Sequence, residues 1–225
     1  MRCERSEKKQ AIMALEESLR RIKDHLDSID KAREQAIRLS RDVIRLSSQI
    51  ISSVVSGNKE EARKALEELE FKKAAFYETV RHHGELLYSG ITNNTLSEYV
   101  EAKIVSKLVI EERIPGQDEL EVPPVPYLQG LGDSIGELRR IVLEKVRANR
   151  LEDAWRILEI MEEVFARLYI INYPDPLVPG FRHKIDVARR LIDDTKVMLI
   201  DLTSRRDLEK ALESIVRRGC GEHQQ

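Results

Sequence analysis

The stretch "RIKDHLDSIDKAREQAIRLSRDVIRLSSQIISSVV", residues 21–55, decides the fold. It contains no proline and no glycine, and the same holds back to Arg5. Its apolar positions Ile22, Leu26, Ile29, Ala36, Val43, Ile50 and Val54 step by threes, fours and sevens, which is one helix face. Ile37, Ile44 and Ile51 widen that stripe beyond a narrow two-stranded seam. The spacing predicts one very long helix packed in a bundle.

Working outward, "SGNK" (Ser56–Lys59) predicts a turn, with Gly57 ending the first helix and Asn58 capping the next. The second helix is expected from about Lys59 to Tyr88, near Gly90. "TNNT" (92–95) then offers caps for a third helix running to Arg113. "IPGQDELEVPPVP" holds four of the seven prolines and reads as the main loop. A fourth helix is expected from about Pro126 to Ala148, with Leu128, Leu131, Ile135, Leu138 and Val142 on one face. The fifth carries Ile157, Met161, Val164, Leu168 and Ile171, and stops at "NYPDPLVPG". The sixth keeps a heptad through Phe181, Ile185, Ala188, Ile192, Thr195, Leu199 and Leu202, which suits a subunit seam or an intrachain core. A short seventh, "RRDLEKALESIVRR", ends at Gly219. Nothing alternates with period two over a useful length. The expectation is an all-α, single-domain bundle of about seven helices over residues 1–225, with short flexible ends at about 1–5 and 218–225.

Composition agrees. Of the 225 residues, 35% are charged and only 5% aromatic, as in long charge-coated helices, while 41% hydrophobic content allows a real core. The net charge of -2 gives no global attraction to nucleic acid, so any such role needs a local basic face. Cys3 and Cys220 offer neither a disulfide framework nor metal-ligand spacing. The opening "MRCERSEKKQ" lacks the apolar core of a signal peptide, and no apolar run is long enough for a bilayer. A soluble, cytoplasmic protein is expected.

The chemistry-bearing residues are acids. In "SEYVEA" (97–102), Glu98 and Glu101 share a face with Val105 and Leu108, so they head a row that turns apolar. In "GDSIGELRR" (132–140), Asp133 and Glu137 lie one turn apart, close to Gly130 and Gly136. Those glycines cost helix stability and leave room for a ligand or another backbone. Four carboxylates brought together repel unless protonated or neutralised, and hard divalent cations with oxygen ligands resolve this. The set contains no histidine, so Mg²⁺ or Mn²⁺ suits it better than zinc. Such a site serves phosphodiester hydrolysis. The competing reading leaves the acids on wet faces, or paired with Lys103, Arg139 or Arg140.

These segments, with "LSRDVIRLSSQI" in the first helix, "VPYLQGLGDSIGELRR" in the fourth and "FRHKIDVARRLIDDTKVMLIDLTSRR" late in the chain, resemble the translin family. The branch of translin-associated factor X (TRAX) is the nearer, and a prokaryotic TRAX-like member is implied. The loop before the fourth helix is short, unlike the long insertion of animal relatives. The resemblance implies a helical bundle assembling into a hollow, usually octameric homo-oligomeric shell. It also implies a metal-dependent endoribonuclease cutting single-stranded RNA, with Glu98, Glu101, Asp133 and Glu137 as catalytic, metal-binding acids.

RNA would need cations. Arg38, Arg41 and Arg45 step by three and four along the first helix, and Arg139 and Arg140 lie one turn beyond Glu137, so these five are the candidate RNA contacts. Single-stranded DNA is a further candidate ligand. His82 and His83 read as exposed polar residues, and Trp155, Phe165 and Tyr169 as packing. Two other functions are weighed: a non-catalytic shell binding single-stranded RNA or DNA, and an all-α nucleoside-triphosphate pyrophosphohydrolase. The second acidic pair is D-x-x-x-E rather than the E-x-x-D usual in the latter family. A di-iron bundle would want E-x-x-H, which is absent.

Overall fold

The structure is a computed structural model that describes the backbone of residues 2–221 and the side chains of 9, 10 and 12–215. The tails expected at 1–5 and 218–225 fall partly outside these residues, as do the side chains of Cys3 and Cys220. Among the described residues there are eight helices and no strand. Six are long: α1 (Arg2–Val55), α2 (Lys59–Arg81), α4 (Gly90–Glu111), α6 (Pro124–Arg147), α7 (Leu151–Tyr169) and α8 (Phe181–Gly221). Two are single turns, α3 (Gly84–Leu87) and α5 (Gln117–Leu120).

The α1–α2 turn forms as the sequence predicts. Gly57 takes a positive φ of 85°, and the Asn58 side chain accepts from the Glu61 N–H to cap α2. Helix α1 packs on α2 and α4, α4 on α6, and α7 and α8 close the other side of α6. The core is one contiguous apolar cluster running through these helices, with Phe76, Tyr99, Ile104, Leu138 and Met161 among its buried members.

Four expectations are corrected. Helix α2 stops at Arg81, because His83 is extended, and the chain re-forms only the single turn α3 before α4. Ser89, not the "TNNT" segment, caps α4; Thr92 and Thr95 lie inside it, buried, their hydroxyls donating to the Leu86 and Ile91 carbonyls. The main loop contains α5, anchored by buried Leu120 and Val122, with Glu112 and Glu121 in the left-handed region on either side. The sixth and seventh helices are one, α8. Nothing from 182 to 218 breaks a helix, and the Thr203 and Ser204 hydroxyls bond back to Leu199 and Ile200 carbonyls without interrupting the ladder.

Burial also settles the heptad of α8. Phe181, Ile185, Ala188, Ile192, Thr195 and Leu199 are buried inside this chain, so that face is an intrachain core. Conversely, the start of the α1 stripe is unpartnered: Ile22 and Leu26 are 55% and 56% exposed. The reason is length. At about 1.5 Å per residue, the 54 residues of α1 reach about 80 Å, whereas the 23 of α2 cover about 35 Å. The first part of α1 projects past the bundle.

Two expected packing roles hold in outline. Trp155 donates its indole N–H to Thr203, joining α7 to α8. Phe165 and Tyr169 lie with ring centroids 5.7 Å apart under the Arg189 guanidinium, although Tyr169 is largely exposed. On the α2-facing side of α4, Lys73 lies against Tyr77 and Tyr99, and Tyr99 and Lys103 both donate to Glu70. Burial pushes the Lys73 ammonium down from its ordinary pKa, and raises the Tyr99 phenol.

Candidate functional site

The crossing of α4 and α6 places the acids, and one glycine makes it possible. A methyl group on Gly130 would lie 2.5 Å from the Ser97 carbonyl oxygen and 2.7 Å from Val100 Cβ. No side chain fits there, so the two backbones touch at this point. Glu98 and Glu101 flank this contact on α4, and Asp133 and Glu137 follow it one and two turns along α6. Of the two glycines read from sequence, Gly130 therefore serves another backbone. Gly136 does not: a methyl there would meet only Leu191 Cδ1, at an ordinary 3.9 Å.

The four acids sense one another. Burial pushes the Glu101 carboxyl up to about 8, reinforced by the charges of Asp133, Glu98 and Glu137. Glu98 is raised as well, by burial first, then by Asp133 and Glu137, against the attraction of Lys184. Neither glutamate makes a hydrogen bond or ion pair among the described residues. Solvated surface acids would behave otherwise. Glu111 and Glu119, on the surface, are held below the usual range by Lys107 and Arg113.

The other pair is occupied. Asp133 accepts from the Lys184 ammonium through both oxygens, at 2.6 and 2.5 Å. Glu137 pairs with Arg140 at 2.7 Å, one turn on. Lys184 comes from the start of α8, which passes over Gly132 with the Lys184 Cβ within 3.7 Å of where a methyl would sit. A polar chain fixes this approach: Ser97 Oγ donates to Gln129 Oε1, and Gln129 Nε2 donates to the Pro179 carbonyl just before α8. Sequence reading missed both Lys184 and Gln129. The available signal was that Lys184 borders the buried Phe181–Ile185–Ala188 stripe.

The donor set is all carboxylate oxygen, which suits a hard divalent cation in kind. As placed, no three acidic, histidine or cysteine side chains among the described residues are gathered to grip an ion. The four acids are absent from the lining of two cavities in the fold, one of about 620 Å³ beside the α7–α8 loop and one of about 370 Å³ near Arg113. Glu98, Glu101, Asp133 and Glu137 are each half-buried.

Of the candidate cations, Arg38 and Arg41 are exposed and have no ion pair among the described residues. Arg45 is also exposed, with long contacts of 3.9 Å to Asp42 and Glu68. Arg139 is half-buried, its Nε lacking a hydrogen-bond partner. His82 is exposed and bonded to Glu78 at the end of α2, and takes no part in the acid cluster.

A family model, that of the Translin family, matches residues 20–198. The chain belongs to the translin family. It is 27% identical over 208 residues to an uncharacterised protein of Methanocaldococcus jannaschii, covering 91% of this chain and 90% of that one. Among solved structures it is similar to AfC3PO, at 32% identity and a TM-score of 0.77 over 84% of this chain and 98% of the other. It is similar also to AfC3PO in complex with duplex RNA, at 31% identity and a TM-score of 0.78 over 84% and 97%. NeC3PO without ligand matches at 25% identity and a TM-score of 0.73, over 81% and 95%. The all-α bundle of this translin-family chain is thus the fold of those proteins. No helix among the described residues is long and apolar enough to cross a membrane.

Proposed function

We propose that this translin-family protein is a metal-dependent endoribonuclease of the TRAX type, cleaving single-stranded RNA. The observation that carries the reading is the packing of Glu98 and Glu101, unpaired and partly buried, against Asp133 and Glu137. A protein that only binds RNA gains nothing from carboxylates that repel one another and the phosphate backbone. The four acids would hold Mg²⁺ or Mn²⁺, and the bound ion supplies Lewis acidity and an activated water for phosphodiester hydrolysis. Arg140, beside Glu137, is placed to neutralise phosphate next to the acids, with Arg139 behind it. Arg38, Arg41 and Arg45 form a basic track along α1 for the strand. The RNA complex of the similar AfC3PO supports a nucleic-acid ligand, and its RNA is duplex.

The exposed face Ile12, Leu15, Leu19, Ile22 and Leu26 repeats at threes and fours, as in a helix seam awaiting a partner. It supports assembly of several copies into a shell, the octamer being the form the family resemblance implies.

A second reading is a shell that binds RNA or single-stranded DNA without cutting it. The Lys184–Asp133 pair favours it, since that carboxylate is already neutralised. Cleavage of labelled single-stranded and duplex RNA with Mg²⁺ or Mn²⁺ separates the two, comparing the parent with Glu137→Ala. The nuclease reading expects cleavage of the single strand that Glu137→Ala loses. Equal cleavage by both proteins sinks the site, and binding without cleavage by the parent leaves the shell. Nucleoside triphosphates in the same buffer exclude or expose a pyrophosphohydrolase.

A further inference from the structure

We propose that Lys184 is the resident counter-cation of the acid cluster, and that it competes with a divalent metal ion for Asp133. The inference rests on the metal-site reading above, and concerns what this chain does when no ion is bound. Its basis is geometric. Both Asp133 oxygens accept from one ammonium at 2.6 and 2.5 Å, and among the described residues that ammonium has no other hydrogen-bond or ion-pair partner. The pair is only one-third exposed on each side, so water neutralises it poorly.

Charge counting points the same way. Four carboxylates face two paired cations, Lys184 and Arg140, so full ionisation leaves two negative charges unbalanced. Arg140 reaches Glu137 from the next turn of the same helix and is exposed. Lys184 reaches Asp133 across 51 residues of sequence, from a helix whose start is tied by Gln129 to the strand of contacts around Ser97. It is the cation the fold delivers to the cluster.

Lysine suits an exchangeable role. Its ammonium is a point charge on a flexible four-carbon stem, and leaves a carboxylate without unmaking a planar fork. Lys184 must give up Asp133 before that carboxylate can serve a divalent cation. The released ammonium remains tethered at the start of α8 beside the cluster. There it meets the next anion brought to the site, and the proposed reaction brings a phosphodiester.

The test is titration of the full chain with MnCl₂, following free Mn²⁺ by electron paramagnetic resonance, for the parent, Lys184→Met, Lys184→Arg and Asp133→Asn. Methionine keeps the stem and removes the charge. Competition expects Lys184→Met to bind Mn²⁺ about tenfold more tightly than the parent, the worth of one charge-assisted pair at a partly exposed site. Lys184→Arg binds no more tightly than the parent, and Asp133→Asn binds more weakly. In thermal melts, Lys184→Met unfolds below the parent in chelator, and saturating Mn²⁺ erases the gap. A purely structural lysine would leave the gap in place. Equal or weaker Mn²⁺ binding by Lys184→Met, in a parent whose binding Asp133→Asn weakens, overturns the role of Lys184 alone. Absence of Mn²⁺ binding in both parent and Lys184→Met overturns the metal site and this inference together.

Discussion

Glu101→Gln isolates the electrostatic cost of the cluster. In the folded chain the Glu101 carboxyl titrates near 8, against 4.5 for an unperturbed glutamate. Between those values the folded state keeps a proton that the unfolded chain has released. Folding stability therefore falls as pH rises through that window, and is lowest above about pH 8. The full interval corresponds to at most about 5 kcal/mol. Residual solvent contact screens part of this, so about 2 to 3 kcal/mol is expected at pH 9. Glutamine imitates the protonated acid at every pH and removes Glu101's share of the slope. Thermal melts by circular dichroism in chelator, from pH 5 to 9, should show parent and variant together at pH 5. At pH 9 the variant should melt roughly 5 to 10 °C higher. A constant offset at all pH values, or a variant less stable at pH 9, would refute the burial and crowding of Glu101. Adding Mn²⁺ at pH 9 should raise the melting temperature of the parent more than that of the variant, because only the parent has a charge to neutralise there.

The remaining predictions concern packing, RNA and assembly. Gly130→Ala forces α4 and α6 apart and should cost about 1 to 3 kcal/mol with loss of cleavage, while Gly136→Ala should be neutral or gain up to about 1 kcal/mol. Denaturant melts of the pair decide whether the crossing is as close as Ser97 and Val100 make it. Replacing both Arg38 and Arg41 by alanine should weaken RNA binding and lower the salt dependence of log K by roughly one to two, and an unchanged slope removes α1 from the RNA path. Leu19→Glu with Leu26→Glu should reduce the assembled mass in light scattering without loss of the bundle's near-ultraviolet signal; unchanged mass would place the subunit contact elsewhere.

Much of the fold was legible in local signals. Gly57 and Asn58 punctuate the first hairpin, and the prolines from 115 to 126 mark the break between α4 and α6. Glu98 and Glu101 drew attention because they head an apolar row, and the charges of Asp133 and Glu137 on the neighbouring helix do reach both. Periodicity could not say which apolar face meets its own chain. The stripes of α1 and α8 look alike in sequence, yet Ile22 and Leu26 are exposed and Phe181 and Ile185 are buried. That difference depends on how far α2 and α4 extend, which is a property of neighbouring elements. Lys184 was illegible for a related reason. Its pairing with Asp133 spans 51 residues and exists only because α8 lies across α6, and local spacing carries no trace of that. The continuity of α8 turned on weaker ground: "TSRR" contains helix-tolerant residues whose hydroxyls bond back within the helix.

The projecting start of α1 has a thermodynamic consequence. A helix segment of this length with little apolar packing is marginal in water, since packing supplies most helical stability in proteins. Ile12, Leu15, Leu19, Ile22 and Leu26 are about half exposed in the single chain, so packing within one molecule adds little to the order of this segment. That order belongs to mass action. At high dilution this segment should fray while the bundle stays intact, and at working concentration it should wind up as copies meet. Far-ultraviolet ellipticity would then rise with protein concentration while near-ultraviolet signals hold still, so that secondary structure reports on encounter between molecules.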